Sequence, residues 1–190
     1  KINKKEVYMA TVTLKGNVCN LCGTDVNVGD VAPEITVVNS AGLANKVVGG
    51  AQDKAQLIVV VPSLDTPVCA SETRKFNEKA AAISGVDTTV VSMDLPFAAG
   101  RFCTAEGIAN LTVASDFRNK DFANAYGVLI ADGALAGITC RAIFVVDTCG
   151  KVCYKELVPE ITAEPNYDAA LEAAAKAAPK SSCCGGGHCS

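Results

Sequence analysis

The residue whose type and position most suggest chemistry is Cys69, which lies just inside a predicted helix that follows a buried strand. Thr66 is a favourable N-cap residue, and Pro67 is tolerated at the first helical position because its missing N–H needs no partner there. Counting on, Cys69 takes the third helical position, where we expect the Thr66 side chain to bond the backbone N–H of Cys69. The thiol should therefore lie near the positive end of the helix dipole.

The pattern of this helix predicts a recessed thiol rather than a surface one. Apolar and small side chains recur along it at intervals of three and four residues, and charged side chains occupy the remaining positions. A stripe of this kind faces the core of a domain. Its members are Cys69, Thr73, Phe76, Ala80 and Ile83, whereas Arg74, Lys75, Glu78 and Lys79 fall outside it.

A reactive thiol in this place needs a cation as well as a helix terminus. Lowering the pKa of a thiol from its ordinary value of about 8.5 to about 6 costs roughly 3.4 kcal/mol. A helix N-terminus supplies at most about 2 kcal/mol. Arg141 precedes a predicted buried strand at 142–146, so its guanidinium can point across the end of the sheet toward Cys69. With the Thr66 hydroxyl and the Cys69 amide, it can donate hydrogen bonds to charge that develops on a substrate.

The composition excludes several classes of function. The chain has 190 residues with 49% hydrophobic residues, which predicts a single domain with a real core. Its net charge of -3 argues against a nucleic-acid partner. The apolar run at 57–61 is far shorter than the roughly 18 residues that a membrane helix needs. The only histidine, His188, lies near the end of the sequence, which excludes a catalytic triad or a histidine-rich metal centre in the body.

The elements that must position these residues alternate between strands and helices. Strands predicted at 57–61 and 88–93 each precede a helical stretch, which indicates βαβ units and a mostly parallel sheet. A hairpin within 8–28 precedes them. The other predicted elements are a helix at 97–107, a short helix at 119–126, a hairpin of strands 142–146 and 152–158 joined around Asp147 and Gly150, and a last helix from 166 to 178.

The chain contains ten cysteines, and their chemistry depends on whether the surroundings are reducing or oxidising. No export signal is visible in residues 1–9, so we expect a reducing, cytoplasmic setting in which thiols are catalytic or metal-binding. One open alternative is a zinc site made by two pairs with knuckle-like spacing; the other is independent thiols or disulfides. The two pairs are Cys19 with Cys22, and Cys149 with Cys153.

Two further groups of thiols have no settled role. Cys140 adjoins Arg141 and is expected to be a packed neighbour, although a thiol so close to the site is open to oxidation. A tail at 180–190 carries Cys183, Cys184, His188 and Cys189. It can bind a soft metal, relay thiol exchange, or be inert.

The pattern Pro62-x-x-x-Thr66-x-x-Cys69 with a distant Arg141 resembles the active-site pattern of the peroxiredoxins. The segments VVPSLDTPVCASETRKFNEKAA, DLPFAAGRFCTAEGIANL, FRNKDFANAYGVLIADG and LVPEITAEPNYDAALEAA are similar to the thiol peroxidase subfamily, which is of the atypical two-cysteine type. The similarity extends from about Met9 to Ala178.

The resemblance implies an α/β, thioredoxin-like fold with a mixed central sheet flanked by helices, an N-terminal β-hairpin, and a homodimer. It divides the chain into a leader at 1–8, a peroxidase domain at 9–179 and a flexible tail at 180–190. It implies no cofactor. Its substrates would be hydrogen peroxide and organic hydroperoxides, and its reductant a thioredoxin-type dithiol.

The resemblance also implies roles for five residues. Cys69 is the peroxidatic cysteine and Cys103 the resolving one, Thr66 and Arg141 position the peroxide, and Pro62 shields the thiolate from water. A Cys69–Cys103 disulfide requires Cα atoms within about 7 Å. If they lie farther apart, the turn after Thr66 or the helix at 97–107 must partly unfold.

Two functions of other classes remain as alternatives. A disulfide oxidoreductase or redox-signalling module is disfavoured, because Cys69 lacks a C-x-x-C partner. A metal-binding or storage protein that uses the peripheral thiols is the third hypothesis. Consumption of peroxide separates the first hypothesis from both.

Overall fold

The structure, a computed structural model, describes residues 10–80 and 82–179, so the predicted leader and tail lie outside the described residues. Ten strands and four helices alternate along this part of the chain. The strands are β1 (Ala10–Leu14), β2 (Asn17–Cys22), β3 (Ile35–Asn39), β4 (Asn45–Val48), β5 (Ala55–Val60), β6 (Val86–Ser92), β7 (Thr112–Ser115), β8 (Leu129–Ile130), β9 (Ala142–Val146) and β10 (Val152–Leu157). The helices are α1 (Pro67–Ala80), α2 (Pro96–Glu106), α3 (Asp121–Ala125) and α4 (Tyr167–Ala177).

A mixed seven-stranded sheet forms the centre, in the order β10-β9-β5-β6-β7-β3-β4. Strands β5, β6 and β7 are parallel, because α1 and α2 cross over between them. Strand β9 joins β5 antiparallel and β10 follows it as a hairpin. The predicted βαβ units and mixed central sheet are therefore confirmed. The expectation of a mostly parallel sheet is wrong, because β9, β10, β3 and β4 all join by antiparallel pairing and only the pairs β5–β6 and β6–β7 are parallel.

The two faces of this sheet pack against different partners. Side chains alternate along β5 and β9, so Leu57 and Val59 face one way while Ile58 and Val60 face the other. The first face packs against α1, α2 and α4. The second face packs against the N-terminal hairpin and α3. Both faces are covered, which explains why β5 is buried throughout.

The predicted N-terminal hairpin is formed by β1 and β2, and β8 extends it to a three-stranded sheet. Its turn, Lys15 and Gly16, has positive φ angles of 51° and 81°, as two-residue hairpin turns require. The hairpin is joined to the segment 159–161 by two backbone bonds. Thr13 N–H donates to Pro159 O at 2.7 Å, and Ile161 N–H donates to Thr13 O at 2.8 Å.

Four short strands were not predicted from the sequence. They are β3, β4, β7 and β8, each of two to five residues. Runs this short carry little periodicity, and pairing with neighbouring strands fixes them instead. The predicted strand 142–146 has the observed bounds, and the other strands and helices whose two ends are predicted differ by no more than two residues at either end. Within 10–80 and 82–179, no helix has the length and apolar character needed to cross a membrane.

Candidate active site

Cys69 lies in the first turn of α1, at the end of the loop that follows β5. The helix begins at Pro67, so Cys69 is its third residue as predicted. Ala70 N–H donates to Thr66 O at 3.0 Å, which closes the first helical turn. The Cys69 side chain is 0% exposed, so the prediction of a recessed thiol is confirmed.

The predicted capping bond of Thr66 is wrong. The Thr66 hydroxyl donates to the carbonyl oxygen of Ser63 at 2.9 Å, and no bond from Cys69 N–H to it occurs in the described part of the chain. The residues from Ser63 to Thr66 form a tight turn, and Thr66 N–H also donates to Ser63 O, at 3.2 Å. The turn therefore places the carbonyl oxygen of Ser63 within hydrogen-bond distance of the Thr66 hydroxyl. Thr66 is exposed at the surface of the site.

Arg141 lies directly before β9, and its guanidinium reaches the sulfur of Cys69 as predicted. Its Nη2 lies 3.2 Å from Sγ, and the side chain is 1% exposed. Nε and Nη2 also donate to the carbonyl oxygen of Ile161, at 3.1 and 3.0 Å. Burial lowers the pKa of Arg141, but the neighbouring Glu72 and Cys69 raise it by more, so the guanidinium stays charged. A charged group this close stabilises negative charge on sulfur.

Glu72 is a member of this cluster that the sequence analysis missed. Its Oε2 accepts a hydrogen bond from Arg141 Nη1, and its side chain is fully buried. Burial raises the pKa of the carboxyl to about 7, against the lowering effect of Arg141. Oε1 has no hydrogen-bond partner among the described residues. The signal was present, because Glu72 lies three residues after Cys69 on the buried stripe of α1.

The side chains of Cys69, Glu72 and Arg141 thus form a buried cluster with one cation and two groups able to carry negative charge. Removing one member of such a cluster leaves an uncompensated charge in an apolar place, which is strongly unfavourable. The planar guanidinium fixes the sulfur on one side and the carboxyl on the other. This arrangement can present a sulfur nucleophile together with N–H donors that favour charge on an incoming oxygen.

A cavity of about 280 Å³ lies beside the cluster. Its lining is mainly apolar, and its polar side chains include those of Arg141, Thr66 and Thr162. Pro62, which is buried, forms part of the wall. A cavity of this size and character suits a small molecule with one polar end. Its other lining residues are Leu14, Ser63, Pro67, Val68, Leu135, Ile138 and Ile161.

Cys103 lies on α2 and packs against the same apolar cluster that contains Cys69. It is partly buried, and burial raises the pKa of its thiol, although a hydrogen bond with Ser40 acts in the opposite direction. Both Cys69 and Cys103 are unbridged thiols in this structure. The two proposed reaction partners therefore share one face of the sheet.

The zinc site proposed for four of the cysteines is not formed. Cys19 and Cys22 lie on β2, whereas Cys149 and Cys153 lie at the β9–β10 hairpin. The described residues contain no group of three or more His, Cys, Asp or Glu side chains that could hold a metal ion. The spacing within each cysteine pair does not determine where the two pairs lie relative to each other. The fold places one pair in the three-stranded sheet and the other at a hairpin of the seven-stranded sheet.

Cys140 is a packed neighbour, as expected, and it faces away from Cys69. It belongs to the cluster on the opposite face of the sheet and is fully buried. Burial raises the pKa of its thiol to about 12, which makes it a poor nucleophile at neutral pH. The cysteines of the predicted tail, Cys183, Cys184 and Cys189, lie outside the described residues.

Comparison with known proteins gives consistent similarities. The family described as Redoxin matches residues 27–171. A thiol peroxidase of Aquifex aeolicus is 61% identical over 158 residues, which cover 83% of this chain and 92% of that protein. A thiol peroxidase of Campylobacter jejuni is 52% identical over 181 residues, covering 95% of this chain and 99% of that protein. The crystal structure of a peroxiredoxin-like protein from Aquifex aeolicus superposes with a TM-score of 0.85 at 57% identity, covering 90% of this chain and 99% of that one.

Proposed function

The chain belongs to the Redoxin family as a peroxiredoxin-type thiol peroxidase, and from this premise we propose that Cys69 is the residue that attacks the hydroperoxide. The resemblance to the peroxiredoxins and the thioredoxin-like fold are both confirmed. The alternatives of a disulfide oxidoreductase and of a metal-storage protein are set aside, since the relatives are thiol peroxidases.

One observation carries the assignment of Cys69. Its buried sulfur lies 3.2 Å from Nη2 of Arg141, in the first turn of a helix and beside a small apolar cavity. The sulfurs of Cys19 and Cys153 instead contact backbone carbonyl oxygens, those of Asn17 and Val145, and Cys140 faces the opposite side of the sheet. Helix dipole and guanidinium both favour the thiolate, which is the nucleophilic form.

In the first step, the Cys69 thiolate attacks the terminal oxygen of the hydroperoxide. The sulfur–oxygen bond forms while the O–O bond breaks, so sulfur is oxidised by two electrons to a sulfenic acid. The leaving oxygen takes a proton and departs as water or an alcohol. Arg141 and the Thr66 hydroxyl orient the peroxide. The guanidinium donates to the oxygens on which charge develops, whereas the hydroxyl, whose own proton goes to Ser63 O, accepts a hydrogen bond from the peroxide O–H. Pro62 keeps water from the sulfur.

In the second step, the Cys103 thiolate attacks the sulfur of the sulfenic acid and water leaves. An intramolecular Cys69–Cys103 disulfide results. A thioredoxin-type dithiol then reduces it by thiol–disulfide exchange and becomes a disulfide itself, which restores both thiols. The partial burial of Cys103 on the same face as Cys69 supports this pairing.

The proposed substrates are hydrogen peroxide and organic hydroperoxides. The cavity beside Cys69 is mainly apolar, which supports the binding of an alkyl group next to the peroxide oxygens. Its volume of about 280 Å³ favours compact organic groups over extended ones.

The decisive experiment adds one equivalent of hydrogen peroxide to the fully reduced protein and maps the disulfides by proteolysis and mass spectrometry. We expect a single new disulfide between Cys69 and Cys103, and in Cys103→Ser a sulfenic acid on Cys69. An unmodified Cys69 beside another oxidised cysteine would refute the assignment. A disulfide from Cys69 to a different cysteine would refute only the role of Cys103.

We also propose that the protein is a cytoplasmic homodimer. Three large apolar side chains, Leu95, Phe97 and Phe117, are exposed just beyond the ends of the parallel strands β6 and β7, with Phe97 72% exposed. Burying this surface against a second copy is favourable. Sedimentation should show a dimer that Phe97→Glu weakens. Cell fractionation should recover the protein with the cytoplasmic thioredoxin-type reductant.

A further inference from the structure

The carboxylate of Asp94 joins two segments that are distant in sequence. Asp94 follows β6, and it accepts three side-chain or backbone hydrogen bonds. Ser63 Oγ donates to Oδ1 at 2.7 Å, Leu64 N–H donates to Oδ2 at 2.7 Å, and Ser92 Oγ donates to Oδ2 at 2.9 Å. Two of these donors belong to the loop between β5 and α1, which leads to Cys69.

Within the loop between β5 and α1, Asp94 fixes the position of Thr66 through Ser63. Asp94 holds the side chain of Ser63, and the carbonyl oxygen of Ser63 accepts both the hydroxyl and the amide of Thr66. The carboxylate is therefore two hydrogen bonds away from the hydroxyl at the mouth of the cavity. Leu64, held by the same carboxylate, is buried in the cluster that contains Cys69.

On its other side, Asp94 stands directly before the helix that carries Cys103. Leu95 is the N-cap residue of α2 and makes no side-chain capping bond, so the helix start depends on the residues before it. Asp94 itself is held there, because its carbonyl oxygen accepts the Ser115 hydroxyl and its N–H donates to Ser92 Oγ at 3.2 Å. One residue thus anchors both the loop before α1 and the start of α2.

We propose that Asp94 is a positioning residue that holds the Ser63–Thr66 turn closed for the reaction with peroxide and couples the opening of this turn to the loosening of α2. The part that concerns α2 rests on the proposed role of Cys103. The closed turn serves the first step, because Thr66 must face the peroxide. The open turn serves the second step, because Cys69 and Cys103 must approach each other.

The two steps should therefore respond to Asp94→Asn in opposite directions. An amide offers one acceptor oxygen, and its NH₂ group cannot accept from Leu64 N–H, so the turn is held less firmly. We expect oxidation of Cys69 to slow by about tenfold, the effect of losing hydrogen bonds to a charged acceptor. Formation of the Cys69–Cys103 disulfide should become about threefold faster, because less free energy is needed for opening.

The matched control is Asp116→Asn. Asp116 follows β7, the neighbouring parallel strand, and accepts hydrogen bonds from Phe122 N–H at 3.1 Å and Ala123 N–H at 2.8 Å. It is more deeply buried than Asp94, so its replacement is at least as severe for general stability. It supports α3 on the opposite face of the sheet and should leave the ratio of the two rates unchanged.

The measurement is a rapid-quench time course, since the chain has no tryptophan to report by fluorescence. Reduced protein is mixed with hydrogen peroxide and quenched at set times with acid and an alkylating reagent. Mass spectrometry then counts reduced Cys69, sulfenic acid and disulfide. A slower first step with a faster second step in Asp94→Asn, and not in Asp116→Asn, is the expected result. Equal slowing of both steps, or no change in either, would overturn the proposal.

Two more variants keep the result interpretable. Ser63→Ala removes only one of the two contacts with the loop, so it should shift both rates in the same directions by about threefold even if Asp94→Asn does not fold. The first step is also measured in Cys103→Ser, with and without Asp94→Asn. A tenfold difference there supports the positioning of the turn independently of Cys103. Absence of oxidation at Cys69 in protein that carries neither Asp94→Asn nor Ser63→Ala would instead refute the proposed function.

Discussion

The first turn of α1 and the whole of α2 each carry one of the two thiols that we propose to react, yet the two helices are held very differently. Helix α1 buries Cys69, Glu72, Thr73, Phe76 and Asn77. Helix α2, although eleven residues long, buries only Pro96 and Ala99, and an interior glycine weakens it further. In the proposed mechanism, the sulfur that meets the small substrate in fixed geometry, that of Cys69, lies on the helix with many buried residues. The sulfur that must move, that of Cys103, lies on the helix with few.

The electrostatic surroundings of the two thiols also differ, since a cation lies beside one of them and burial dominates at the other. Cys69 has the Arg141 guanidinium at 3.2 Å, whereas burial raises the pKa of Cys103 and only Ser40 and its own backbone lower it. In the proposed mechanism, Cys69 reacts in the closed structure, and Cys103 reacts after α2 loosens and water reaches its thiol.

The largest effect should come from exchanging the two thiols for hydroxyls. Cys69→Ser should lower peroxidase turnover at least about a thousandfold, because the nucleophile is lost. Cys103→Ser should retain one rapid oxidation per chain and then stall. Peroxide consumption in the first seconds and at steady state separates the two variants. A steady state in Cys103→Ser equal to that of the unsubstituted protein would show that another cysteine resolves the sulfenic acid.

The next largest effect concerns the cation at Cys69. Arg141→Lys keeps the charge but cannot hold Cys69, Glu72 and the Ile161 carbonyl at once, so we expect about a hundredfold slower oxidation of Cys69. Arg101→Lys, on the exposed surface of α2, is the control and should react normally. If both variants oxidise Cys69 at the same rate, the guanidinium does not contribute to the first step.

A smaller effect is expected from pH on the second step. Burial raises the pKa of Cys103 above its ordinary value, so its thiolate fraction keeps growing as the medium becomes alkaline. Disulfide formation after a single oxidation should therefore keep rising with pH from neutral into the alkaline range, without an early plateau. The rate is measured by rapid quench with the first step complete. A plateau below pH 8 would contradict the expected environment of Cys103.

The smallest effect tests the ion pair that joins the two helices. Arg74 on α1 contacts Glu106 at the end of α2 at 2.7 Å, and both side chains are partly exposed. Such a pair contributes at most about 1 kcal/mol, so Arg74→Ala should speed disulfide formation up to fivefold, with less difference at high salt. Lys176→Ala, which removes a pair within α4, is the control. Identical rates at all salt concentrations in the two variants would exclude a role for this link.

Much of the site was predictable because it depends on local rules. The proline before Cys69 fixes the helix start, and the periodicity of α1 fixes the burial of the thiol. The position of Arg141 followed from the strand that it precedes. Glu72 was missed because a carboxylate among apolar positions is stable only with a partner, and that partner, Arg141, lies on a distant segment directly before β9.

The remaining features depend on contacts between distant segments. The hydroxyl of Thr66 turns to Ser63 because of the path of the chain from Ser63 to Thr66, which residue types alone do not specify. The contacts of Asp94 likewise require β5 and β6 to be neighbours in the sheet. Strands β3 and β4 are stabilised by pairing rather than by their own pattern.

The N-terminal hairpin has a consequence for the acid tolerance of the site. It is joined to Ile161, whose carbonyl oxygen orients Arg141, and Glu160 beside it accepts hydrogen bonds from the Lys15 amide at 2.9 Å and the Thr13 hydroxyl at 2.8 Å. These bonds, the amide first, lower the pKa of Glu160 to about 2. The carboxylate therefore keeps its charge and its hydrogen bonds to the hairpin until the medium approaches pH 2. Mild acidification should thus leave the hairpin, and with it the orientation of the Arg141 guanidinium, unchanged.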